Sequence, residues 1–392
     1  RNTMTHEPIL PGAWLGLLGG GQLGRMFAQA AATLGYRVCV LEKDPHAPAA
    51  AVSEMHLCAA YTDRSALEKL GEKCLSVTTE FENVPADSLE ILAEMTKVSP
   101  AAKAVSITQD RLDEKSFLSS IGAPVAPHCL IASAQDIENV DENLFPGILK
   151  TARLGYDGKG QIRVKNKAEL TEAFNTLGRV KCVLEKMLPL WREVSVISAR
   201  NAMGEATTFP VSENEHRDGI LAVSIMPARI SQEQADKARS IAKHIVNSLD
   251  YVGVLCVEFF ILENGEIIVN ELAPRPHNSG HATIEGCISS QYDQQVRAMT
   301  NMPLGDTTQI QYTVMLNILG NLWFKPDGNK FEPDWDKVLA FPHAKLHLYG
   351  KLDARKGRKM GHITCVGSTP EEAMKCALQV CDAIGLPKPE HI

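Results

Sequence analysis

Residues Val257–Leu272 read VEFFILENGEIIVNEL, two apolar runs on either side of Asn264-Gly265. Asn-Gly between such runs is the strongest short signal for a β-hairpin with a two-residue type I′ turn. In that register Glu258 stands opposite Glu271, on the same face of the ladder. Two carboxylates directly opposed repel each other. Either both face solvent or a hard cation bridges them, and Mg²⁺ takes one or two carboxylates together with phosphate oxygens. The flanking segments CVEFF and IVNEL are apolar enough to favour the cation.

Two further segments lie upstream. In ILKTARLGYDGKGQ, Lys150 closes an apolar strand, and Gly155, Gly158 and Gly160 follow in a loop. The amides of that loop, with Lys159, suit phosphate, although the same residues fit an exposed flexible hairpin. In VLEKMLPLWREVSV a strand runs into Glu185, Lys186, Met187 and Leu188, Pro189 breaks it, and Glu193 opens the next strand. Such a hinge serves an adenine site, with backbone groups reading the base edge and the acid gripping ribose. It serves equally as a plain crossover between domains.

Near the start, GLLGGGQLGR places Gly19, Gly21 and Gly24 at the G-x-G-x-x-G spacing, after the strand WLGLL and ahead of a helix, RMFAQAAATLG, that ends at Gly35. A second strand, RVCVLE, ends at Glu42, where the ribose-binding acid of a dinucleotide enzyme would fall. The same glycines also allow close strand-to-helix packing in sheets that bind no nucleotide.

With 392 residues the chain has room for two or three domains. A net charge of −7 and a pI near 6.0 leave no global basic field for nucleic acid. No apolar run reaches membrane-spanning length, and RNTMTHEPILPG lacks the apolar core of a signal peptide, which points to the cytosol. The residues before Met4 read as an appended remnant. Ten cysteines form no C-x-x-C pair and read as small buried hydrophobes of a reducing compartment.

From Trp14 to about Asp110, strands (GLLGG, RVCVLE, LSVTTEF) alternate with helices (SALEKLGEK, DSLEILAEMT), which implies a parallel sheet. IGAPVAPHCLI, with Pro124 and Pro127, marks passage into a small sheet-and-helix unit. After Glu193 the strands suggest a larger, mostly antiparallel sheet, and PEEAMKCALQVCDAIG is the last helix. The expected units are 13–110, 111–188 and 189–392.

Phosphate lysine, glycine loop, hinge with acid, then paired carboxylates: this order resembles the ATP-grasp fold, in which ATP lies between two sheets. LGGGQLGRM, TTEFENV, LGYDGKGQ, ELAPRPHNSGH and RKGRKMGH closely resemble the N5-carboxyaminoimidazole ribonucleotide synthetase family of that superfamily. The resemblance runs from about Trp14 to the last helix. It implies an α/β and α+β chain: a Rossmann-like pre-ATP-grasp domain, an ATP-grasp unit and a C-terminal rudimentary hybrid-type motif. It also implies a ligase that converts 5-aminoimidazole ribonucleotide, bicarbonate and ATP to the N5-carboxy product, ADP and phosphate through carboxyphosphate.

On matching positions the resemblance implies that Arg111 and Lys150 contact ATP phosphates and that Leu154, Gly155, Tyr156, Asp157, Gly158, Lys159 and Gly160 form the lid. Glu185 to Leu188 would bracket adenine, Glu193 would hold ribose and His216 would lie at the nucleotide. Glu258 and Glu271, helped by Asn270, would hold Mg²⁺, with Mn²⁺ as a substitute. Gln22, Glu80, Tyr156, Asp157, Arg275, His277, Asn278, Ser279, Lys351 and Arg358 would face the ribonucleotide. Arg275, His277 and Tyr156 would stand at the reacting atoms, Arg275 because a planar, permanently charged group suits a carboxyphosphate oxygen and His277 as an orienting group. Leu154 stands where some members carry glycine, and Lys159 where others carry arginine. A homodimer is also implied, members of the family being commonly dimers, and so is a separate mutase for the next step, because the chain ends soon after its last helix. The competing readings are a formate-using ligase acting on glycinamide ribonucleotide, an NAD-dependent oxidoreductase built on the opening glycines, and a non-catalytic binding protein.

Overall fold

The computed structural model describes residues 6–155 and 157–390. Its N-terminal sheet comprises Trp14–Leu18 (β1), Arg37–Leu41 (β2), Met55–Leu57 (β3), Ser76–Thr79 (β4) and Lys97–Val98 (β5). All are parallel, in the order β3-β2-β1-β4-β5. The central strands are buried on both faces, which explains their continuous apolar runs.

The glycine-rich turn leads from β1 into the helix Gln22–Thr33, which starts three residues before the expected Arg25. Its glycines make room for the protein's own acids. A Cβ on Gly19 would lie 2.6 Å from Glu80 Cγ, and one on Gly20 would lie 2.6 Å from Glu42 Cγ. The amide of Gly21 donates to Glu80 (3.0 Å) and that of Gly20 to Glu42 (3.1 Å). Glu42 also accepts from the Tyr61 hydroxyl at 2.5 Å. The fingerprint therefore seats carboxylates at a helix N-terminus, and Glu42 is engaged without a ribose.

A small antiparallel sheet follows: His128–Ile131 (β6), Gly147–Thr151 (β7), Gln161–Val164 (β8) and Cys182–Lys186 (β9), in the order β6-β9-β7-β8. The large sheet contains Leu190–Arg200 (β10), Ala206–Thr208 (β11), Ser212–Arg217 (β12), Ile220–Met226 (β13), Gly253–Leu262 (β14), Ile267–Ala273 (β15), Tyr312–Leu319 (β16), Ala344–Leu348 (β17) and Lys359–Gly367 (β18). It runs β15-β14-β10-β12-β13-β16-β18-β17, with β11 beside β10. Helix Gln232–Ser248, opened by a Ser231/Gln234 capping box, turns Ala238, Ala242, Ile245 and Val246 onto the sheet against Val194, Val196, Phe259 and Ile261. The last helix, Pro370–Ile384, covers the other end with Ala373, Cys376, Ala377, Val380 and Cys381. All the cysteines are free, and all but Cys58 and Cys129 are buried.

The β14–β15 hairpin departs from its expected turn. Asn264 does not take the positive φ that a type I′ turn requires, whereas Gly265 does, at 88°. Leu262 donates to Glu266 and Gly265 to Leu262, so the loop has three residues, 263–265. That shifts the ladder by one: Phe260 pairs with Ile268 and Phe259 with Val269. A bulge at Asn270 then shifts it back, and Glu258 pairs with Glu271. The type I′ turn of this sheet lies elsewhere, at Asp218-Gly219 between β12 and β13, where φ is 51° and 77°. Among the described residues, no helix is long and apolar enough to cross a membrane.

Candidate active site

A cavity of about 460 Å³ opens between the small and large sheets. Helix Arg111–Ser120 lines it from one side, starting at Asp110, whose side chain caps the amides of Leu112 and Asp113. The spacing 111, 114, 115 puts Arg111, Glu114 and Lys115 on one helix face, and all three line the cavity. So do Lys150, Leu154, Gly155, Asp157, Gly158, Glu185, Lys186, Met187, Leu188, Glu193, His216, Glu258, Asn270, Glu271, Arg275, His277 and Asn278. Lys159 and Gly160 belong to the same loop but stand outside this lining, and Lys159 is exposed. Tyr156 lies outside the described residues. Leu154 has φ 63°, a left-handed conformation that glycine adopts more readily, and leaves its side chain exposed.

Glu185 sits at the end of β9 in a buried ion triad. One carboxylate oxygen is 2.5 Å from Lys150 Nζ and the other 2.6 Å from Lys115 Nζ. Burial opposes its charge, but the two lysines hold its pKa at about 2. The hinge beyond it is pinned by its backbone, Lys186 donating to Pro127 and Met187 to Pro146.

Glu258 and Glu271 face each other on the cavity floor. Burial, then the charge of Glu271, pushes Glu258 well above the usual carboxylate range. Glu271 is held well below it: the hydrogen bond with Glu258 and the charge of Arg111, whose Nη1 is 3.2 Å away, outweigh burial. Behind them burial pushes Glu114 up to about 8. The bulge brings Asn270 to the same cavity as Glu271. Among the described residues no cluster of three or more His, Cys, Asp or Glu forms a protein-only metal cage. Two opposed carboxylates with an amide oxygen are nonetheless the partial donor set that Mg²⁺ completes with phosphate oxygens. Glu193 Oε2 lies 2.8 Å from His216 Nδ1, and this carboxylate raises the His216 pKa against the effect of burial.

Arg275, at the end of β15, forks onto Glu82 at 2.5 and 3.2 Å. Burial opposes both charges, but the pair raises the pKa of Arg275 and lowers that of Glu82. His277 Nε2 is 3.6 Å from Glu258, and its Nδ1 is 2.8 Å from Ser279 Oγ. Ser279 lies beneath this floor, buried.

Gln22, Glu80 and Lys351 form a second group, at the N-terminus of helix Gln22–Thr33. Lys351 Nζ donates to Gln22 at 3.0 Å. Burial, followed by the charge of Arg358, lowers the Lys351 pKa to about 8, and burial raises that of Glu80 to about 7. Arg358 donates to the carbonyl of Asp353. Lys359, which lines the cavity and lies 3.5 Å from Asp157, joins this segment to the lid. Lys115, Glu114, Glu82 and Lys359 were not among the residues expected at the site. Glu82 and Lys359 lie inside the quoted motifs TTEFENV and RKGRKMGH, whereas RLDEKS reads as an ordinary solvated helix.

The comparisons agree with this architecture. Residues 13–109 match a ribonucleotide synthetase preATP-grasp domain, 116–292 an ATP-grasp domain, and 313–375 a phosphoribosylaminoimidazole carboxylase C-terminal domain. The chain is 43% identical over 367 residues to an N5-carboxyaminoimidazole ribonucleotide synthase of Brucella melitensis, covering 92% of this chain and 98% of that one. It is 40% identical over 370 residues to the Bacillus subtilis enzyme of the same name, covering 94% and 95%. A crystal structure of an N5-carboxyaminoimidazole ribonucleotide synthetase with ADP superposes with a TM-score of 0.88 at 40% identity, covering 97% of this chain and 100% of that one. An Aspergillus clavatus synthase in complex with ADP and 5-aminoimidazole ribonucleotide superposes with a TM-score of 0.86 at 33% identity, covering 95% and 98%. With this sheet order, this cleft and these relatives, the chain belongs to the N5-carboxyaminoimidazole ribonucleotide synthase family of ATP-grasp enzymes.

Proposed function

We infer that this chain is an ATP-dependent carbon–nitrogen ligase that carboxylates 5-aminoimidazole ribonucleotide with bicarbonate. The products are N5-carboxyaminoimidazole ribonucleotide, ADP and phosphate, by way of carboxyphosphate, in purine biosynthesis. The observation that carries the reading is one cleft that unites the Lys150–Glu185–Lys115 triad, the glycine loop and the Glu258–Glu271 pair, in a chain of this family.

In this reading Arg111 and Lys150 hold the ATP phosphates, and the described loop residues Leu154 to Gly160 close over them. With both carboxylate oxygens of Glu185 occupied by lysines, the hinge through Leu188 reads adenine by its backbone. Glu193, oriented by His216, grips the ribose hydroxyls. Glu258, Glu271 and Asn270 hold Mg²⁺, which when bound offsets phosphate charge during phosphoryl transfer. Arg275, held by Glu82, presents its remaining edge to an anionic intermediate, beside His277 and Asn278. Gln22, Glu80, Lys351 and Arg358 receive the ribonucleotide and its phosphate. Positioning and charge stabilisation, without a protein nucleophile, suffice for this chemistry.

The division at 110 and 188, a homodimer, a separate mutase for the following step and a cytoplasmic location belong to the same reading. The match of residues 13–109 to a preATP-grasp domain supports the boundary at 110, and the separation of the small sheet from the large one supports that at 188. The test is ADP release with each candidate ribonucleotide, offered bicarbonate or formate. Release that requires the aminoimidazole ribonucleotide, bicarbonate and Mg²⁺ together is expected. Release with formate and glycinamide ribonucleotide would overturn the reading.

A further inference from the structure

A chain of four hydrogen bonds crosses the large sheet beneath the cavity and ends on His277. Ser224 Oγ donates to Asn214 Oδ1 (2.8 Å), Asn214 Nδ2 to Ser195 Oγ (2.9 Å), and Ser195 Oγ to Ser279 Oγ (2.8 Å); Ser279 Oγ then meets His277 Nδ1 at 2.8 Å. The four residues behind the histidine are all buried.

The polarity of this chain is set at one point. The backbone amide of Ser279 lies 3.1 Å from His277 Nδ1 and can only donate. Nδ1 is therefore an acceptor and carries no proton. The Ser279 hydroxyl has two acceptors in reach, this nitrogen at 2.8 Å and the Cys256 sulfur at 3.9 Å; the nearer nitrogen takes its proton, so that Ser195 donates to Ser279 and Asn214 presents its amide hydrogens to Ser195. Every member is satisfied in this one direction. A proton on Nδ1 would face two donors, in a site where a buried unpaired group is costly.

We propose that Ser279, backed by Ser195, Asn214 and Ser224, is a positioning residue that locks His277 in the Nε2–H tautomer, so that the ring presents a hydrogen-bond donor to the cleft. The proton stands on the nitrogen that faces Glu258 and the cavity. His277 then orients substrate and accepts no proton at that atom. The consequence for catalysis rests on the function proposed above, whereas the tautomer does not.

The test is the ¹⁵N spectrum of the histidine side chains in the full-length protein with ADP and Mg²⁺, with the His277 signals identified by their loss in His277→Asn. A protonated Nε2 and an unprotonated Nδ1 are expected. In Ser279→Ala the Nδ1 resonance moves, having lost one donor, and aminoimidazole-dependent turnover falls about 10- to 100-fold with KM for ATP within about twofold of the wild-type value. A proton on Nδ1 in the wild-type protein would overturn the proposal, as would unchanged turnover and an unmoved Nδ1 signal in Ser279→Ala. The spectrum is read without substrate turnover, so failure of the carboxylation assay leaves it intact, and failure of the spectrum leaves the carboxylation reading intact.

Discussion

Lys150 and Lys115 reach one carboxylate from opposite sides, 2.5 and 2.6 Å from the two oxygens of Glu185. All three side chains are less than a tenth exposed, so the two lysines depend on Glu185 for their counter-charge. Removing its single anion leaves two buried ammonium groups without a partner charge, a loss of about 3–5 kcal/mol. Glu185→Gln is expected to show that loss in urea unfolding, together with a KM for ATP raised about tenfold because Lys150 is no longer held. Lys115→Met leaves Glu185 paired with Lys150 and is expected to cost less on both measures. Equal losses in the two variants would contradict a shared anion.

Without a cation Glu258, pushed well above the usual carboxylate range, shares a hydrogen bond with ionised Glu271, and a cation that joins them takes the place of that proton, so substitution of Glu271 separates metal binding from folding. Glu271→Gln removes the carboxylate that pairs with Arg111 at 3.2 Å, a partly exposed contact, and is expected to lower the melting temperature of the metal-free protein only slightly. It also removes a hard oxygen ligand. The rise in melting temperature that Mg²⁺ and ADP give the wild-type protein should shrink, and ADP formation should fall about 10²- to 10³-fold, the equivalent of losing about 3–4 kcal/mol of charge stabilisation. Thermal scans with and without Mg²⁺ and ADP, beside a turnover assay, read all three quantities.

Gly219 is the seat of the glycine loop. A Cβ there would lie 2.4 Å from the carbonyl oxygen of Asp157 and 2.9 Å from Gly158 Cα. Gly219→Ala is therefore expected to push the loop off the β12–β13 turn, to speed tryptic cleavage at Arg153 and Lys159, and to lower turnover about 10- to 100-fold. The substitution also strains a residue at φ 77°. Gly328→Ala separates the two effects, because Gly328 has φ 86° with nothing within 4 Å of the added atom. It shares the strain, about 1–2 kcal/mol, and should keep normal turnover and loop cleavage.

Much of this site was legible in the sequence, but not always by the route that the chain takes. The Glu258–Glu271 pairing follows from Asn264-Gly265 if the turn has two residues. In the structure a three-residue turn and the bulge at Asn270 displace the register in opposite directions and cancel. Glycine in the left-handed region suits both turns, and a bulge beside a site leaves no mark in an alternating pattern. Asp218-Gly219 carried a hairpin signal of the same kind and does form the type I′ turn. Glu114 and Lys115 could not be read as buried, since charges at that spacing describe a solvated helix face until two sheets close over them. The opening glycines read as a dinucleotide fingerprint or as close strand-to-helix packing, and neither reading names the carboxylates that the turn meets. Which carboxylate it meets, Glu80 and Glu42 of the same chain, depends on where β2 and β4 end in space.

His281 and His362 end two of the motifs, ELAPRPHNSGH and RKGRKMGH, and stack 4.5 Å apart with rings 15° from parallel. His347 stacks on the other face of His362 at 4.2 Å and pairs with Glu285 at 2.9 Å. Burial, then the neighbouring imidazoles, holds the pKa of both His281 and His362 well below the ordinary 6.5. Above that pH neither the folded nor the unfolded chain protonates them, and they have no effect on stability. Below it the unfolded chain takes up protons that the folded chain refuses, so their contribution to stability falls as pH falls. Buried carboxyls act in the opposite sense. Glu80 and Glu114, raised to about 7 and about 8, take up protons in the folded state first and add stability over the same window. The wild-type slope is therefore a sum of opposing terms, and the histidine share must be read as a difference. His362→Gln removes one titrating imidazole while keeping an acceptor for the Tyr349 hydroxyl, now 2.7 Å from Nδ1. Urea unfolding at pH 7.5 and 5.5 should show the variant gaining about 1.4 kcal/mol on the wild-type protein between the two. A difference that stays the same at both pH values would mean that His362 is protonated inside the folded stack.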